Sequence, residues 1–331
     1  MTKVFLAMII SFGVTVALGP VVIPFLKKLK FGQKILDIGP SWHKSKQGTP
    51  TMGGLMFITG IILAVAIFGM DDLFNLEFRP IAVVVFSLLF GLIGFVDDFI
   101  KVVKKRNLGL TAFQKIVLQF LTAIAFLTFL IANNYLSTKV FFPFINQTIE
   151  FSWFFYVFAI ITIVGVVNSV NLTDGLDGLA ASVTIPVVAT LSILAVSVGA
   201  MGLAIVSMAI VGGLLGFLVY NFYPAKIFMG DTGSLFLGGA VCGLAFALNI
   251  PLIIFIAGLI YIIEALSIFL QIAYFKLSKG KRLFKMSPIH HHFELSNWKE
   301  IKIVYVFTAI TAILCIVAFF GFSSVSNIIT N

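Results

Sequence analysis

The sequence predicts an all-α integral membrane protein: about ten transmembrane helices with an active-site cleft at the cytoplasmic face. Composition is the first reason. The chain is 60% hydrophobic and 11% charged, with a mean hydropathy of +1.13, whereas a soluble domain carries about a quarter charged residues. The second is length: ten apolar segments each approach the roughly 20 residues that a helix needs to cross about 30 Å of hydrocarbon. The third is the distribution of charge. All 22 Lys and Arg residues except Lys3, Arg79 and Lys139 fall in the loops that follow odd-numbered segments. Basic loops stay in the cytoplasm, so both termini are expected outside. The net charge of +9 is thereby read as a membrane-surface and anionic-substrate signal, with no nucleic-acid partner.

The segments run over 4–26, 52–70, 80–100, 112–132, 151–170, 179–198, 201–220, 234–249, 251–275 and 301–322. The first is too long for a signal-peptide core and is read as a retained helix. Segments eight and nine are separated by a tight turn at Asn249–Pro251. Cys242 and Cys315 lie inside apolar runs and are read as small core residues. The whole chain, 1–331, is expected to form one polytopic catalytic domain.

The stretch NSVNLTDGLDGLAA, Asn168 to Ala181, concentrates polar chemistry between two apolar runs. Asp174 and Asp177 stand there with the amides of Asn168 and Asn171, and each carboxylate is followed by a glycine. Unpaired carboxylates in low dielectric cost too much to be kept for packing. Carboxylates, amides and glycines suit a hard cation such as Mg2+ and the groups of a nucleotide. Asp97 and Asp98 end the third segment in GFVDDFIK, with Lys101 within one helical turn of both. Adjacent residues do not share a helix face, so the two carboxylates are expected to do different work. Asp231 lies in KIFMGDTGS, which offers a metal ligand, glycines and a ring, Phe228. Phe228 is one of 37 phenylalanines, and by count alone it is a packing residue. SPIHHHFE holds His290, His291 and His292 beside Lys281, Arg282 and Lys285, a setting that favours phosphate contact. Asp71, Asp72, Glu77 and Glu150 are read as solvated outer residues. Glu264, inside segment nine, faces a polar cleft or pairs within the bundle.

GFVDDFIK, NLTDGLDGLA and KIFMGDTGS, in that order, resemble the motifs of the polyprenyl-phosphate N-acetylhexosamine-1-phosphate transferases. KSKQGTPTMGG at 44–54 and SPIHHHFE at 287–294 narrow the resemblance to the phospho-N-acetylmuramoyl-pentapeptide transferases. The resemblance covers nearly the whole chain. It implies transfer of phospho-MurNAc-pentapeptide from UDP-MurNAc-pentapeptide to undecaprenyl phosphate in a bacterial cytoplasmic membrane, giving lipid I and UMP. It also implies Mg2+, a homodimer and inhibition by uridine-containing antibiotics.

Residue by residue, Asp231 matches the family's magnesium ligand, and Asp97 and Asp98 match its essential acidic pair. Asn171, Asp174, Gly175, Leu176 and Asp177 match the nucleoside and pyrophosphate region, and Phe228 the ring that stacks on uracil. Lys46, Thr51, Asn221 and Gln271 match polar groups of the cleft, and His290 and His291 the essential histidines. Lys101 is expected to stabilise charge. A sister transferase acting on another UDP-amino sugar is the alternative that SPIHHHFE opposes. A secondary transporter is opposed by the lack of an internal repeat and by carboxylates gathered on one face.

Overall fold

The computed structural model describes residues 1–29, 46–69, 76–104 and 109–323. The candidate charges Lys30, Lys34, Lys44, Asp71, Asp72, Lys105 and Arg106, and His43, lie outside the described residues.

Helix α1 spans Thr2–Lys28 and α2 spans Gly54–Phe68. Helix α3 is Arg79–Val103, with a proline in its first turn where a missing N–H costs nothing. Helix α4, Ala112–Ala132, opens on a capping box in which Thr111 and Gln114 satisfy each other's backbone N–H groups. A two-stranded antiparallel hairpin follows, β1 at Lys139–Phe142 paired with β2 at Gln147–Glu150. Then come α5 (Phe154–Thr173), α6 (Leu179–Ser197), α7 (Met201–Asn221) and α8 (Gly230–Ala247). The short α9 (Ile253–Ala257) breaks at Gly258 into α10 (Leu259–Leu277). Helix α11 is Ile289–Glu294 and α12 is Glu300–Phe322.

Among the described residues, nine helices are long and apolar enough to span a bilayer, and the 15-residue α2 is a shorter apolar tenth. The protein is thus an all-α multi-pass membrane protein. Two details differ from the sequence expectation. Segment nine is two helices, because Gly258 interrupts it. The hairpin adds strands to a loop whose alternation was too short to read. Its Phe141 ring packs edge-on against Phe322 at 5.9 Å, at the end of the bundle away from the motif loops. The tight turn after α8 is confirmed and has a physical cause. Asn249 takes a left-handed φ of 59°, and Ile250 N–H bonds back to the Ala245 carbonyl at 2.9 Å, closing the helix in a Schellman arrangement.

Helix α8 is the centre of the bundle. It is buried from Thr232 to Ala247, and it is the least hydrophobic of the nine long helices. The two facts agree. A helix whose neighbours are other helices gains from small residues that let backbones approach, and lipid-facing helices gain from bulk. Helix α3 crosses it at Gly94, where a β-carbon would overlap the Asp231 carbonyl and stand 2.6 Å from Thr232 N. That crossing sets the acidic end of α3 against the first turn of α8.

Glycine at this crossing is therefore a requirement of the fold. Gly94→Val should destabilise the protein by about 1–3 kcal/mol, the usual cost of overpacking. It would be measured as a lower Tm in detergent. Gly13→Val is the control, since nothing lies within 4 Å of its β-position. Equal Tm values for the two variants would contradict the crossing.

Candidate active site

At one end of the bundle the C-terminal turns of α3 and α5 meet the N-terminal turns of α4 and α8. Asp97 and Asp98 are both buried and turn different ways, as adjacent positions on a helix must. Asp97 accepts a hydrogen bond from Leu110 N–H at 2.8 Å and pairs with Lys101 at 2.6 Å. Asp98 turns towards α8, where one of its oxygens accepts from both Thr232 N–H (2.9 Å) and the Thr232 hydroxyl (2.8 Å). Asp231 accepts from Asn171 at 2.9 Å on one oxygen; its other oxygen pairs with Lys101 at 3.0 Å and Lys115 at 2.8 Å. Asn171 also donates to Ser234 Oγ at 2.7 Å, which fixes its amide.

One oxygen from each of Asp97, Asp98 and Asp231 lies within 4.8 Å of the others. Three carboxylates opposed by two ammonium groups leave a net negative charge. An all-oxygen donor set of this kind fits a hard divalent cation. The family resemblance put the metal on Asp231, and the geometry sets Asp97 and Asp98 beside it as neighbouring donors. Asp174 sits at the margin, half-buried, and its carboxylate makes no hydrogen bond among the described residues. Burial, together with the negative charges of Asp231, Asp98 and Asp177, pushes its carboxyl well above the usual carboxylate range. Thr51 stands beside the same centre: a β-carbon on Gly230 would lie 2.6 Å from both its hydroxyl and an Asp98 oxygen, and Gly230 itself takes a φ of 71°.

A second cluster shapes the adjoining loops. Lys46 pairs with Asp177 at 2.7 Å and with Glu300, on the first turn of α12, at 2.6 Å. Burial alone would lower the Lys46 ammonium; Glu300 and Asp177 outweigh it and hold the group above its ordinary value. Glu300 also accepts from Asp177 N–H, and Asp177 accepts from Ala225 N–H. Asn221 accepts from Gly178 N–H at 3.1 Å and donates to the Ile227 carbonyl at 2.8 Å. Phe228 is half-buried. Its backbone is strung between Pro50 and Gly53, which ties the loop before α8 to the loop before α2. Leu176 is buried as the apolar anchor of the 174–178 loop.

The remaining candidates stand apart from the carboxylate centre. Asn168 is tied to the buried Gln119 by two amide–amide hydrogen bonds of 2.7 and 3.3 Å. Gln271 accepts from Leu283 N–H and Phe284 N–H and donates to the Phe284 carbonyl, so its amide holds the loop after α10. His290 is fully buried and meets Glu264 at 2.9 Å, while His291 meets Glu294 at 2.6 Å. Of the two readings of Glu264, the structure gives the pair within the bundle. Glu77, read as solvated, forms a two-pronged pair with Arg79 at 2.8 and 2.7 Å.

Sequence reasoning passed over Lys115, Thr232 and Glu300. Lys115 carried a signal, because a lysine in the first turn of α4 opposes the helix dipole and needs an external reason. Glu300 carried none, since an acid at a helix N-terminus is what the dipole favours.

Comparison with known proteins joins this geometry to a family. Residues 80–249 match Glycosyl transferase family 4, and residues 46–58 match phospho-N-acetylmuramoyl-pentapeptide-transferase signature 1. A protein of Clostridium perfringens (strain 13) is 48% identical over 318 residues, covering 96% of this chain and 98% of its own. One of Thermoanaerobacter sp. (strain X514) is 48% identical over 322 residues, 97% and 99% of the two chains. One of Clostridium botulinum (strain Eklund 17B) is 45% identical over 317 residues, 95% and 94%. All three are named phospho-N-acetylmuramoyl-pentapeptide-transferase. With close to half its residues shared along almost the full length of each relative, the chain belongs to the phospho-N-acetylmuramoyl-pentapeptide-transferase family.

Proposed function

We propose that the protein, acting as one catalytic domain, transfers phospho-MurNAc-pentapeptide from UDP-MurNAc-pentapeptide to undecaprenyl phosphate. The products are lipid I and UMP. The observation that carries this reading is the meeting of Asp97, Asp98 and Asp231 with Lys101 and Lys115 at one end of a bundle of membrane-spanning helices. One substrate is water-soluble and the other is lipid, so the reaction belongs at that interface.

An oxygen of the lipid phosphate attacks the β-phosphorus of the UDP-sugar. The bond from that phosphorus to the oxygen bridging to the α-phosphate breaks, and UMP leaves with the bonding electrons. Such a transfer depends on charge neutralisation and in-line positioning more than on covalent help. Mg2+ held by Asp231, with Asp97 and Asp98 beside it, would neutralise the pyrophosphate and the leaving UMP. Asp97 orients the acceptor phosphate and takes its proton. Lys101 and Lys115 counter the negative charge of the phosphates. Asp98 has one oxygen committed to two Thr232 donors, which favours a holding role over that of a covalent nucleophile. Phe228 supplies a face for the uracil ring, and the 174–178 loop with Lys46 and Asn221 frames the nucleotide. The protein works as a homodimer, and uridine-containing antibiotics occupy the nucleotide side of the site.

Purified protein given the UDP-sugar, the lipid phosphate and Mg2+ should release UMP. Asp231→Asn should abolish release while the protein stays folded in detergent. Wild-type-like turnover of that variant at low Mg2+ would remove Asp231 from the site.

The two sub-sites separate by ligand. Base stacking is worth about 1–3 kcal/mol. Phe228→Ala should therefore weaken binding of a fluorescent uridine inhibitor by about one to two powers of ten, leaving apparent affinity for the lipid phosphate nearly unchanged. Asp97→Asn should lose turnover and keep inhibitor binding. The reverse pattern would exchange the two assignments.

The basic loops support a cytoplasmic site with both termini outside. In a variant lacking Cys242 and Cys315, a thiol reagent confined to the outside of intact cells should label Asn146→Cys, in the hairpin, and spare Lys281→Cys. Labelling of position 281 alone would invert the orientation.

A further inference from the structure

Glu264 and His290 form a pair that the carboxylate centre does not use. Both side chains are completely buried, Glu264 on the membrane-spanning α10 and His290 on the short α11. Their contact, His290 Nδ1 to Glu264 Oε2, is 2.9 Å. An ionisable residue inside a spanning helix is expensive and is ordinarily kept for function. This one supports nothing but the imidazole: Glu264 Oε1 and His290 Nε2 have no hydrogen-bond partner among the described residues.

The direction of that open nitrogen is the second observation. A β-carbon on Gly175 would overlap His290 Nε2 and stand 2.6 Å from Cε1. The ring therefore abuts the backbone of the loop that carries Asp174 and Asp177, and only glycine allows it to come so near. A carboxylate accepts and does not donate, so an ionised Glu264 puts the proton between the pair on Nδ1. A second partner on one ring nitrogen is how proteins settle which nitrogen is left for a ligand.

We propose that Glu264 is a positioning residue for the transfer reaction, holding His290 as its Nδ1–H tautomer so that Nε2 faces the nucleotide loop at Gly175 and the phosphate-bearing substrate held there. This rests on the transferase reading above. It assigns Glu264 no contact with substrate and routes its whole effect through His290.

The test is a double-mutant cycle on the full-length protein in detergent, with UMP release giving kcat and KM. Glu264→Gln keeps the volume and removes the charge. It should lower kcat by about 10- to 100-fold, by analogy with the loss seen when the outer partner of a metal-ligating histidine is removed, with KM for the lipid phosphate unchanged. In a His290→Ala background the same substitution should change kcat by less than about twofold, because its effect has nothing left to act through. Losses that multiply would overturn the proposal, as would a fall in Tm with kcat intact. Nitrogen-15 NMR of histidine-labelled wild-type protein, with His290 assigned from the spectrum of His290→Gln, should show a proton on Nδ1. An unprotonated Nδ1 overturns the proposal whether or not the Glu264 variant folds. Wild-type protein that releases no UMP would instead sink the transferase reading, and the NMR result would still decide the pair.

Discussion

Charge that must be neutralised in a poorly solvated place is the constraint on which this structure depends. Asp97, Asp98 and Asp231 come from helices far apart in sequence, and no one helix supplies the countercharge. Lys101 lies on α3, Lys115 on α4 and the amide of Asn171 on α5, so four helices must end at one level before all three carboxylates are satisfied. The close crossing of α3 and α8 at Gly94 makes that level possible. Once it is set, Thr232 can hold Asp98, and the two acidic neighbours on α3 are committed to different partners.

The polar groups then divide into those that are finished and those that are not. Asn168 with Gln119, Gln271 with the backbone after α10, and Asn221 with two loop backbones are engaged within the protein. Buried polar atoms are normally satisfied in this way. Among the described residues Asp174 and His290 Nε2 lack such partners, and Phe228 is half-buried. Asp174 and His290 border the 174–178 loop, where a ligand would complete them.

Much of this was legible from the chain alone, for identifiable reasons. Membrane spans announce themselves because lipid demands long apolar runs, and carboxylates between such runs announce a site because their burial is costly. The tight turn at Asn249 was legible because asparagine tolerates the left-handed conformation it adopts. Less visible were features that depend on which helix lies next to which. Asn168 and Gln271 have the chemistry of ligand groups, and only their neighbours reveal that their amides also bond within the protein. Glu300 resembles any acid at the start of a helix until Lys46 is seen against it. The hairpin was hidden because strands of four residues show too little alternation, and Gly258 because one glycine in an apolar run does not reveal that the helix stops there.

The bridge from Lys46 to Asp177 and Glu300 has a consequence in time. It joins a loop that is made early, a loop from the middle of the chain and the first turn of the last described helix. A ribosome delivers these pieces in sequence, and until α12 has been inserted Glu300 is absent from the Lys46 and Asp177 contacts. The nascent bundle therefore carries its carboxylate centre, complete by the end of α8, before the adjoining 174–178 loop is braced. The bridge closes last, after the chain is committed to the membrane.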